Sequence, residues 1–193
     1  MLRTQEWDGV DEARTGYFPK SFDPDFGYES IADVILNTPL ILLNDKGVTT
    51  YVGEKTALDL INEGTVNYDS SDQKTKKEFI EHFISMGFFH YRIKKYIEIR
   101  VADAVAIDKA LAYAALIKGL MYDDESIREL DKRLESVTQI GQINEATQEI
   151  EKHGFDAVIY DNKTAQEWSN EIVDIAARAV ADNERRYLEI FRR

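Results

Sequence analysis

The chain has 193 residues, 44% of them hydrophobic and 31% charged, which suits one soluble globular domain with its own core. Its formal net charge of -12 argues against nonspecific binding to nucleic acid or anionic membrane, although a local basic pocket can still take a small polyanion. There is no cysteine, which removes disulfides and thiol chemistry, and no apolar run long enough for a membrane span or signal-peptide core, so the expectation is a soluble, cytoplasmic protein.

The opening "RTQEWDGVDEARTGYFPKSFDPDFG" is rich in Gly, Pro and Asp and reads as extended segments and turns. Ile31, Val34 and Ile35 recur at helical spacing within 28–37, with Pro39 just beyond the end. "LILL" and "VTTYV" flank "NDKG", which predicts a hairpin. A short helix over 59–63 closes at Gly64. Asp72 is the expected N-cap of a helix running to about Ser85, with Phe79, Ile80, Phe83 and Ile84 on its inner face. After a β-like stretch over 91–103, "AIDKALAYAALIKGLMYD" is apolar nearly all round and predicts a buried helix. Amphipathic helices follow over 124–137, 140–153 and 164–191, the last with a stripe through Trp168, Ile172, Ile175, Ala176, Ala179, Tyr187 and Leu188. The chain reads as a single domain, 1–193, with a strand-containing part (1–103) before a mostly helical part (104–193).

The stretch "YRIKKYIEIRVAD" threads four cations and the carboxylate of Glu98 through what reads as one strand, with a second carboxylate, Asp103, at its end. Alternation puts Ile93, Lys95, Ile97, Ile99 and Val101 on one face, expected to meet a core, and Arg92, Lys94, Tyr96, Glu98 and Arg100 on the other. Charges on a covered strand are costly unless paired or used on a ligand. Two readings stay open from spacing alone: a solvated face of surface ion pairs, or a site in which a carboxylate holds Mg²⁺ and arginines neutralise phosphoryl oxygens.

"KKYIEIRVAD" before "LAYAALIKGLMYD" resembles the glutamate-cysteine ligase family, whose members carry a strand of the type R-x-K-x-Y-I-E-x-R-x-x-D before a buried helix. Upstream, "RTQEWDGVDEARTGYFP" with "FGYESIADVILNTPLIL" is similar to a second family segment, and both occur in the family's order. The resemblance implies an α+β fold: a partial antiparallel sheet of the glutamine-synthetase-like type with a C-terminal helical group. It implies γ-glutamylcysteine formation from glutamate, cysteine and ATP, with Mg²⁺, through an acyl phosphate. Carried over by position, Glu98 matches a metal ligand and Arg100 the arginine that contacts the transferred phosphoryl group. Arg92 and Lys95 match nucleotide-binding basic positions, and Arg3 and Arg14 match arginines of the active-site wall that contacts substrate.

The chain departs from the family pattern at "FFHYR", where His90 stands in place of an acidic or small residue, and at the offset of His82. Both histidines, and His153 near a helix C-terminus, read as structural. Nothing ahead of Arg3 corresponds to the substantial N-terminal portion of family members. The expectation is therefore a C-terminal portion of a larger ligase that folds, does not catalyse alone, and self-associates through its uncovered sheet face. The rival reading is a noncatalytic binding or oligomerisation module that retains the ligase fold.

Overall fold

The computed structural model describes residues 10–66 and 72–192. They divide between two compact units, Met1–Asp103 and Ala104–Arg193. With 57% helix and 16% strand in small sheets, the class is α+β.

In the first unit, β1 (Thr15–Gly16) pairs parallel with β4 (Phe88–Phe89). The α1 helix (Tyr28–Asn37) buries Ile35 and half-buries Ile31 and Val34, as their spacing requires. It ends at Thr38, whose hydroxyl donates to the Val34 carbonyl, and Pro39 opens the next strand. β2 (Pro39–Asp45) and β3 (Val48–Thr56) form the predicted hairpin, with Asp45 opposite Val48. The two turn residues between them, Lys46 and Gly47, both have positive φ (48° and 80°), the geometry that matches the twist of the flanking strands. Thr56 starts α2 (Ala57–Asn62) by a reciprocal cap with Asp59. Asp72 caps α3 (Gln73–Met86) through the Lys74 amide, and Phe79 and Phe83 enter the core. That core is built on Phe18, Leu40, Leu60, Val66, Phe83 and Phe89, with the Phe18 and Phe89 rings stacked at 4.3 Å.

The expected single strand over 91–103 is instead a hairpin: β5 (Tyr91–Ile93) reverses through 94–96 and pairs antiparallel with β6 (Ile97–Ile99). Folding the segment back on itself sets Arg92 directly opposite Glu98, so opposite charges meet across the ladder. The burial is also the reverse of expectation, because Ile97, Ile99 and Val101 are exposed whereas Arg92 is buried. Among the described residues each sheet has two strands, and one of the three sheets is parallel.

The second unit comprises α4 (Ile107–Met121), α5 (Asp124–Arg133), α6 (Ile140–His153), α7 (Ala165–Ala179) and α8 (Asp182–Leu188), with short 3₁₀ turns. α4 is not buried all round. Ala112, Ala115, Gly119 and Leu120 face inward, while Ile107, Leu111 and Met121 are exposed. Gly119 permits a close approach of α4 to α7, since a Cβ there would lie 2.5 Å from the Ala176 carbonyl oxygen. The single helix expected over 164–191 breaks at buried, extended Val180. A new helix starts at Asp182, with Glu184 accepting from the Ala181 amide. Trp168 is anchored by its indole N–H, which donates to the Tyr160 carbonyl at 3.0 Å.

Candidate functional site

The β5–β6 hairpin is short, and its neighbours hold it in place. The Phe88 amide donates to the Arg14 carbonyl and the His90 amide to the Gly16 carbonyl, tying β4 to β1. The Arg100 amide donates to the His90 carbonyl at 2.8 Å, and the Lys94 amide closes the turn on the Tyr96 carbonyl at 2.9 Å. Backbone bonds therefore fix both ends of the charged face.

On that face three cations converge on one carboxylate. The Arg92 Nε and Nη2 both lie 2.8 Å from Glu98 Oε2, Lys94 Nζ lies 3.4 Å from the same oxygen, and Arg100 Nη1 lies 3.7 Å from Oε1. The Arg92 hydrogen bond is the main reason that the Glu98 carboxyl titrates below its usual range, with the charges of Arg92 and Lys94 adding to it. Arg100 is further held by the Phe88 ring, whose centre is 5.9 Å from the guanidinium carbon. A carboxylate outnumbered by cations on a backbone-fixed scaffold presents donors to an anion: planar forks from the arginines and a point charge from Lys94.

The predicted residues separate accordingly. Arg92, Glu98 and Arg100 are brought together. Lys95 is exposed in the turn and is not among the partners of Glu98; Lys94 takes that role. The motif's own spacing, R-x-K-x-Y, already falls on Lys94 when counted from Arg92, so this signal was present in the sequence. Arg14 lies apart, its guanidinium donating to Asp11 and, at 3.3 Å, to the Pro39 carbonyl, where it clamps the 11–16 loop to the start of β2. Arg3 lies outside the described residues. His82 Nε2 sits 2.9 Å from the Leu42 carbonyl and 3.3 Å from the Asn44 amide, pinning α3 to the open edge of β2. His90 packs edge-on against Tyr17 at 4.5 Å, and His153 lies beside Glu149 in the last turn of α6. Phe88 and the backbone carbonyl of His90, which position Arg100, have no sequence signature of their own.

Mg²⁺ demands near-octahedral oxygen coordination. Among the described residues no group of three His, Asp or Glu side chains could hold a metal ion, and the oxygens of Glu98 face cations. These residues by themselves do not fit a resident Mg²⁺.

Three of the most similar curated relatives are plant enzymes. The chain is 28% identical over 127 residues to the chloroplastic glutamate–cysteine ligase of Nicotiana tabacum, covering 66% of this chain and 24% of that protein. It is 28% identical over 130 residues to ligase A of Oryza sativa subsp. indica (67% and 26%), and 28% over 127 residues to the Medicago truncatula ligase (66% and 25%). The matched stretch is thus about a quarter of each relative's length. The family model for glutamate-cysteine ligase family 2 matches residues 2–193, nearly the whole sequence, and the chain belongs to that family.

Proposed function

We propose that this chain forms part of an ATP-dependent carboxylate-amine ligase that joins the γ-carboxylate of glutamate to the amine of cysteine, and that its β5–β6 hairpin handles the nucleotide phosphates. In such a reaction a carboxylate oxygen attacks the γ-phosphorus and ADP leaves. The amine then attacks the acyl carbon, phosphate leaves, and the amine gives up a proton. Negative charge gathers on the phosphoryl oxygens in the first step, so fixed cationic donors aimed at them lower the barrier. On this reading Arg100 and Lys94 meet those oxygens, Arg92 supports them, and Glu98 aims all three. No step is routed through a metal ion. The β2–β3 and β5–β6 pairs are read as pieces of the glutamine-synthetase-like sheet that the family resemblance implies.

The observation that carries the proposal is the convergence of Arg92, Lys94 and Arg100 within 4 Å of Glu98, in a chain of this family. Calorimetric titration of ATP into the purified chain tests it. Arg100→Met is expected to weaken binding by about tenfold or more, in line with the loss of a charge-assisted hydrogen bond. ATP that binds wild type and variant equally, or binds neither, would overturn the assignment. Where turnover is measurable, ADP release should require both glutamate and cysteine; release that ignores the amine would indicate a plain ATPase instead.

A further inference from the structure

A cavity of about 290 Å³ opens between α1 and α3 against β5. Buried Phe18, Ile35 and Phe83 make its floor, with Ile84 and Ile93 beside them and exposed Tyr28 and Ile80 at its mouth. The volume is about twice that of an engineered 150 Å³ apolar cavity that takes up benzene, so it has room for one ring with a short arm. One wall residue breaks the apolar pattern: Arg92, only 9% exposed.

A guanidinium carries five N–H donors. Arg92 directs two of them at Glu98 Oε2 and a third at the Ser85 carbonyl across a long 3.4 Å. Each of its three nitrogens thus has a partner, and one N–H on each terminal nitrogen is left over from these bonds. An arriving carboxylate would take up those donors and offset the surplus positive charge of a cluster in which three cations share one carboxylate.

We propose that this cavity binds a small amphipathic carboxylate, a single aromatic ring or branched aliphatic body with one acidic arm, whose carboxylate pairs with Arg92. The ligand competes with Glu98 for the same guanidinium, so its binding loosens the Arg92–Glu98 pair and couples the cavity to the charged hairpin. The inference rests on the cavity and on Arg92, and it stands whether or not the hairpin takes ATP.

The test is calorimetry on the purified chain with 3-phenylpropionate and its uncharged analogue 3-phenylpropionamide. The acid is expected to bind at least about tenfold tighter than the amide. Ala32→Phe, at an exposed helix position lining the cavity, should weaken the acid by a similar factor with unchanged circular dichroism, as should Ile84→Trp. Glu98→Gln should tighten it several-fold by removing the competing charge. Equal binding of acid and amide, no binding of the acid below about 10 mM, or indifference to both cavity-filling variants would overturn the site. An acid affinity unmoved by Glu98→Gln would overturn the competition with the hairpin.

Discussion

Replacing Glu98 with Gln removes one negative charge at nearly constant shape, and the structure sets the size of the effect. Arg92 keeps only 11% of its side chain exposed and Glu98 keeps 30%, so the pair is neither fully buried nor on the surface. Removing one partner of a buried pair costs about 3–5 kcal/mol, whereas exposed pairs contribute about 0.2–1 kcal/mol. The loss should therefore be about 1–3 kcal/mol, since Lys94 and Arg100 also lose the carboxylate that offsets their repulsion of Arg92. The Arg100 amide, which donates to the His90 carbonyl, is a local reporter. Its hydrogen-exchange protection at neutral pH should fall by roughly 5- to 150-fold in the variant. The pH dependence has a definite sign. Glu98 has a lowered folded-state pKa, so its contribution is complete above the ordinary value near 4.5 and is lost as pH falls through the lower folded value. Wild type and variant should then converge in acid. Equal protection at neutral pH, or a gap that persists in strong acid, would refute the reasoning.

Three further substitutions probe other parts of the account. Gly119→Ala would drive a methyl group to within 2.5 Å of the Ala176 carbonyl oxygen and 2.8 Å of its Cα, backbone atoms that cannot swing aside. Overpacking of about 1–3 kcal/mol should exceed the gain of about 1 kcal/mol in helix propensity, so urea unfolding of the helical unit should show net destabilisation, and a stabilised variant would contradict the α4–α7 contact. Lys94→Met should weaken ATP binding and flatten its salt dependence while Lys95→Met leaves both nearly unchanged, and the opposite ranking would return the role to Lys95.

Much of the architecture was legible where a local physical cause has a local signature. "NDKG" places a turn, Asp72 caps a helix whose Phe79 and Phe83 point inward, and the predicted helix over 140–153 coincides with Ile140–His153. The reversal at 94–96 was not legible, because Lys94, Lys95 and Tyr96 include none of the Gly, Asn or Pro that usually mark a tight connection. Alternation shows which residues share a face but not which face is covered. Ile97 and Ile99 accordingly looked like core and are exposed, while the face carrying Arg92 turned inward. The break at Val180 has no Gly or Pro to announce it and depends on buried packing of that side chain. Within the candidate site, residue types were readable from the motif. The pairing of Arg92 with Glu98 required the hairpin register, and the hold on Arg100 required Phe88 and His90 from the preceding segment.

The most direct test of the central claim, that the β5–β6 hairpin receives nucleotide phosphates, is an NMR titration of the isotope-labelled chain with ATP, following backbone amides and the arginine Nε–H signals. The account predicts the largest shifts at Arg92, Lys94 and Arg100 and their neighbours in 91–100, with similar shifts at these cations from tripolyphosphate. Shifts confined to residues 104–192, or no change in the hairpin at saturating ATP, would contradict it.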